Sequence, residues 1–131
     1  LFKISKGEID SGEIIAQNKV KILPDDSGFS LDSKIVISVM KMFLKFFENY
    51  INKSVKLTAQ DESKATYTCK RNPEDGRINW KQKSIKIYNL IRAVSHPYPG
   101  AFCFYNNVRY KIVKAVIGKN NKQTGSFQVQ H

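Results

Sequence analysis

The chain has 131 residues, 41% of them apolar, which suits one modest domain or parts of two and is too apolar for disorder. No apolar run approaches the roughly 18 residues needed to cross a bilayer, and Lys3 and Lys6 follow Leu1 without the apolar core of a secretory signal. The net charge of +11 points to an anionic partner such as nucleic acid or a nucleotide, but the lysines are scattered along the whole chain, as on an ordinary solvated surface.

Leu1 to Ile4 and Glu13 to Ile22 read as short extended segments around a turn at Asp10-Ser11-Gly12. Residues 23–28 read as a loop. The periodicity then predicts a helix over Ser30–Tyr50, capped by Ser30, with Asp32 suited to the positive end of its dipole. Ile35, Val39, Phe43, Phe46 and Tyr50 form its apolar stripe, widened by Val36, Met40 and Phe47. Lys34, Ser38, Lys41, Lys45 and Glu48 are expected to face water. The stripe reads as core packing and not as a cofactor box.

Asn52–Trp80 reads as mostly irregular, with a short strand at Ala65–Cys69 and a turn cluster at Asn72–Gly76. A second helix is predicted over Ser84–Ser95, with Ser84 as its cap and Tyr88, Ile91 and Val94 on its apolar side. Pro97 and Pro99 forbid its continuation. Ala101–Tyr105 and Val108–Ile117 then read as a β-hairpin joined by Asn106-Asn107, a pair that tolerates left-handed turn geometry. The polar tail from Gly118 offers one further strand, at Ser126–Gln130.

Several residues invite chemistry and have a plainer reading beside it. Cys69 and Cys103 lie far apart in no metal-ligand spacing, and read as reduced thiols of a cytoplasmic protein without a metal. Asp25 and Asp26 resemble a carboxylate pair but read as charge preceding a helix. His96 reads as a structural loop residue and His131 as terminal. Trp80, Tyr98 and Phe102 are able to stack on a base or sugar, though packing is the more frequent use of aromatics. Arg92 fits either a phosphate or an ion pair with Glu74 or Asp75.

Three stretches taken in order carry more. They are Gly7 to Gln17 (Gly-Glu-Ile-Asp-Ser-Gly-Glu-Ile-Ile-Ala-Gln), Arg71 to Trp80 (Arg-Asn-Pro-Glu-Asp-Gly-Arg-Ile-Asn-Trp) and Ile91 to Phe102 (Ile-Arg-Ala-Val-Ser-His-Pro-Tyr-Pro-Gly-Ala-Phe). Together they resemble the folate-dependent formyltransferase family, which contains methionyl-tRNA formyltransferase and the sugar N-formyltransferases. The resemblance runs to about Ile117. It implies an α/β chain: the C-terminal part of a Rossmann-like formyltransferase domain, then a helix and β-hairpin opening a barrel-like C-terminal domain. The corresponding division is 1–58 for the catalytic part, 59–82 for a linker and 83–131 for the start of the C-terminal domain.

The family moves a formyl group from 10-formyltetrahydrofolate to a primary amine, without a metal. The resemblance implies that Asp10 is the catalytic carboxylate of the Asp-Ser-Gly turn. Its charge would keep a catalytic His protonated, and that His would stabilise the tetrahedral oxyanion and deliver a proton. Lys6, Gly7, Glu8, Ile9 and Asp10 would line the folate, largely through backbone groups, with Glu8 standing where relatives often have Gly. The family's Asn-x-His motif is absent from these 131 residues. With Leu1 in place of Met, this reads as a partial chain, expected to be inactive alone and to expose the Ile35–Phe43–Phe46 stripe.

The Arg71–Trp80 and Ile91–Phe102 segments lean toward a nucleotide-linked amino sugar as acceptor. The alternatives are the initiator tRNA of a methionyl-tRNA formyltransferase, to which the positive charge would be suited, and a degenerate or accessory module that binds without turnover. A homodimer is an option for the complete enzyme, and no membrane partner is expected.

Overall fold

A computed structural model describes residues 1–4 and 10–118. The chain divides into two units, the first formed by Leu1–Ile22 with Asp32–Cys69, the second by Leu23–Leu31 with the chain from Lys70 onward.

The long helix α1 spans Gly28–Ile51, 24 residues or about 36 Å. Its amino end is set one turn before the expected cap. Ser27 Oγ accepts from the Ser30 amide (3.1 Å) and Ser30 Oγ accepts from the Ser27 amide (3.0 Å), so two hydroxyls satisfy each other's backbone donors. The carboxy end is a Schellman closure. The Ser54 amide donates to Asn49 O (2.8 Å) and the Lys53 amide to Tyr50 O (3.1 Å). Lys53 takes the left-handed seat usually held by glycine, at φ 51°.

Within the first unit, α1 keeps most of its apolar side chains in the open. Ile35, Val39, Phe43 and Phe47 are exposed, and Phe46 is half-buried between the rings of Phe43 and Tyr50. The helix residue that is buried is Ser38, against expectation, because its hydroxyl accepts from the Asn18 side-chain amide (2.8 Å). A serine hydroxyl with a partner is tolerated inside, where a lysine would not be.

Among the described residues, the amino-terminal segments pair only through isolated bridges. Ile14 forms bridges with both Phe2 and Thr58. With Thr58 it exchanges both backbone bonds, at 2.7 and 2.9 Å. Ala65–Cys69, expected as a strand, forms none: all five residues are exposed and lack a partner strand among the described residues. β-favouring residues do not make a strand without a surface to pack on. The segment follows a single 3-10 turn, Glu62–Lys64, where Lys64 and Ser63 hold the Asp61 carboxyl below its ordinary value.

The second unit has a conventional core. Helix α2 covers Ser84–Ala93, and strands β1 (Ala101–Tyr105) and β2 (Val108–Ile112) form an antiparallel hairpin pairing Ala101 with Ile112 and Tyr105 with Val108. Asn106 (φ 47°) and Asn107 (φ 61°) make the two-residue turn in the mirror-image geometry that matches strand twist. β2 stops at Ile112, five residues short of expectation. Ser84 is the first residue of α2, not its cap; the Lys83 carbonyl receives the Lys86 and Ile87 amides instead.

Ile87 and Ile91, one helical turn apart, join Ile78 and Ala101 in the core, and Trp80, Leu90, Val94 and Ile112 close around them. Phe102 and Cys103 are buried as well, and burial pushes the Cys103 thiol up, away from a reactive thiolate. The 3-10 turn Pro73–Gly76 precedes this core, with the Asn72 amide donating to Asp75 Oδ2 (2.7 Å). Gly76 is required where it stands, since a Cβ there would lie 2.5 Å from the Gly100 carbonyl oxygen.

Arg92 resolves in favour of neither reading offered by the sequence. Its guanidinium donates to Asp26 O (2.6 Å) and Asn89 Oδ1 (2.8 Å). The Tyr88 hydroxyl donates to Pro24 O (3.3 Å). These bonds fasten residues 23–31 to α2. Arg92→Ala is expected to destabilise the chain by about 1–2 kcal/mol, the range for losing charged hydrogen bonds at a partly exposed site. Hydrogen exchange should then quicken at residues 26–31, and unchanged protection there would contradict the assignment.

Candidate functional site

Asp10 sits on the turn read from the sequence. It is exposed, and its backbone is left-handed at φ 63°, a conformation that asparagine and aspartate adopt more readily than other non-glycine residues. Gly12, two residues on, is buried.

The turn is held from outside. Gln60 Nε2 donates to Asp10 O (2.6 Å) and to Gly12 O (2.7 Å). Both acceptors are carbonyls, so the amide must present its nitrogen, and both of its N–H groups are engaged. Gln60 arrives there because Thr58 is bonded to Ile14, so the same short pairing positions both strands of chain. Nothing in the sequence marked Gln60, since an isolated glutamine in an irregular stretch carries no periodicity or motif.

Lys6, Gly7, Glu8 and Ile9, expected to line the folate with Asp10, lie outside the described residues, as does the tail segment Ser126–Gln130. The remaining candidates belong to the second unit. Asp25 is exposed. Asp26 is buried and structural, its carboxylate accepting from the Leu23 amide (2.7 Å) and the Ser30 hydroxyl (2.9 Å). That is a stronger role than loose charge before a helix.

In the second unit, His96 is exposed beside Phe29, their ring centroids 6.1 Å apart. Both border an open groove with Ser95, Lys111 and Ile112. Trp80 and Phe102 are committed to packing, and the Tyr98 ring lies where a Cβ on Gly28 would fall, at 2.9 Å. Among the described residues there is no group of three His, Cys, Asp or Glu side chains placed to hold a metal ion. No helix among them is long and apolar enough to cross a membrane.

Comparison with known proteins turns this geometry into a class. Residues 70–130 match the family model described as formyl transferase, C-terminal domain. That range takes in α2, the hairpin and the core around Ile78, Ile87, Ile91 and Ala101. The chain also matches the solved structure of a methionyl-tRNA formyltransferase from Clostridium thermocellum, with a TM-score of 0.67 and 24% identity. That match covers 89% of this chain and 49% of the other, so the chain spans about half the length of its solved relative. Residues 70–130 thus resemble the C-terminal domain of formyl transferases, and the chain shares its fold with the solved structure.

Proposed function

We propose that this chain is part of an enzyme that transfers a formyl group from 10-formyltetrahydrofolate to the amino group of methionyl-tRNA; the name of the solved structure it matches supports the acceptor, and the family resemblance supports the donor. The observation that carries the reading is the match to that relative over 89% of this chain. The Asp-Ser-Gly turn at residue 10 supports a catalytic role within it, because its carboxylate is exposed on a turn fixed at both ends.

The chain's own contribution is then an anion and a frame. Asp10 supplies a negative charge that favours the protonated form of a neighbouring histidine. Such a histidine would have to come from residues other than these, since no Asn-x-His occurs here. Lys6, Gly7, Glu8 and Ile9 remain the proposed folate-lining loop, by family resemblance. The net charge of +11 suits phosphate contacts with tRNA, which would weaken steeply with salt.

The complete enzyme separates the acceptors directly. Given 10-formyltetrahydrofolate, it is expected to formylate methionyl-tRNA and to leave nucleotide-linked amino sugars unmodified. Formylation of an amino sugar, with methionyl-tRNA untouched, would overturn the acceptor while keeping the chemistry. No formylation of either would return the chain to the class of non-catalytic binding modules.

A further inference from the structure

We propose that Gln60 is a positioning residue for formyl transfer: its side-chain amide holds the Asp10–Gly12 turn in the left-handed backbone that presents the Asp10 carboxylate. The inference rests on the catalytic reading of Asp10 and adds a residue that the sequence did not single out.

The geometry is specific. Two carbonyls that flank Ser11 converge on one nitrogen, at 2.6 Å from residue 10 and 2.7 Å from residue 12. Two oxygens bound to one nitrogen at 2.6 and 2.7 Å lie closer together than the roughly 6.6 Å that separates like-facing carbonyls two residues apart in an extended strand, so the backbone between them is drawn in. Asp10 supplies part of that curl through its φ of 63°. A left-handed aspartate is disfavoured relative to an extended one and persists only where its surroundings fix it. Among the described contacts of the turn, the paired bonds from Gln60 supply that constraint.

Residue type matters here. A glutamate of the same length has no donor at neutral pH and would place a second negative charge near Asp10. An asparagine is one methylene shorter and would not span both carbonyls from the same backbone position. A lysine donates but adds a cation beside the catalytic carboxylate. Only an uncharged primary amide of this reach offers two directed N–H groups. Its own backbone is anchored two residues earlier by the reciprocal Ile14–Thr58 bonds, so little freedom is left to the amide.

The experiment uses the complete enzyme and three variants: Gln60→Met, which keeps the length and removes both donors, Asp10→Asn, and the double substitution. Gln60→Met is expected to lower kcat about ten- to a hundredfold through misplacement of the carboxylate. KM for the acceptor should stay within about threefold, because binding determinants elsewhere are untouched. Added to Asp10→Asn, it should cause little further loss, since both act through one carboxylate. Amide exchange at Ser11–Glu13 should be faster than in the wild type.

Wild-type kcat in Gln60→Met beside an inactive Asp10→Asn would overturn the proposal and leave the catalytic reading of Asp10 standing. Full multiplication of the two losses would do the same, as would unchanged amide exchange in the turn. An active Asp10→Asn would instead remove the catalytic reading, and the role of Gln60 with it. Where Gln60→Met does not fold, Gln60→Glu takes its place in the same comparison.

Discussion

Asp10→Asn in the complete enzyme is expected to cut formyl transfer by about a hundred- to ten-thousand-fold, the range for losing a positioned acid–base group. The substitution is a clean one for reasons the backbone supplies. Asp10 is left-handed at φ 63°, and asparagine accepts that conformation as readily as aspartate, so the turn should keep its shape. Gln60 binds the main-chain carbonyls of residues 10 and 12, not the carboxylate, so its bonds survive the change. What disappears is one negative charge. Each pKa unit withdrawn from a neighbouring protonated histidine weakens that form by about 1.4 kcal/mol. Alanine would be the poorer probe, because it would add backbone strain to the lost charge. Rate, folate affinity and melting temperature should be measured together. Folate affinity is expected to change little, since the proposed loop meets it through backbone groups. Near-normal turnover in a well-folded protein would reduce Asp10 to a turn residue.

The elements that the sequence made legible are those whose signal is local. The helical period from Ile35 to Tyr50 locates α1, and Asn106-Asn107 between two β-favouring runs locates the hairpin. The Asp-Ser-Gly turn was readable for the same reason, because turn chemistry is written in adjacent residues. The errors fall where a distant partner decides. Ser38 looks solvent-facing until Asn18 is brought to it, and Ala65–Cys69 looks like a strand until no partner arrives. Ile87 was passed over in favour of Tyr88, although Ile87 pairs with Ile91 in the core while Tyr88 reaches out to Pro24. Gln60 is the extreme case, 50 positions along the chain from Asp10. The Arg71–Trp80 segment carries residues that local packing fixes, in a turn and the stretch that leaves it toward Phe102. Gly76 is set by the Gly100 carbonyl, and Asp75 by the Asn72 amide.

Phe102→Ala is expected to have the largest effect on stability, about 3–5 kcal/mol, as for other buried aromatics truncated to alanine. Phe102 is 1% exposed and is the largest fully buried side chain described. Its ring lies under the Arg109 guanidinium, 3.8 Å from ring centroid to Cζ, and meets Phe104 edge-on at 5.8 Å. Its carbonyl accepts from the Ile78 amide (2.8 Å), which ties the hairpin to the segment leaving the Pro73–Gly76 turn. Removing the ring therefore opens a cavity and also withdraws the surface on which Arg109 rests. The backbone bond would remain, so the loss should appear as weaker packing and not as a changed strand register. Phe104→Ala is the control. That residue is 50% exposed, and its truncation should cost about 1 kcal/mol or less. For a unit of this size, the Phe102 variant should melt at least about 10 °C below the wild type, and the Phe104 variant within a few degrees of it. Equal shifts from the two substitutions would mean that Phe102 is no more buried in solution than its neighbour, and the core assigned around Ile78, Ile91 and Ala101 would have to be redrawn.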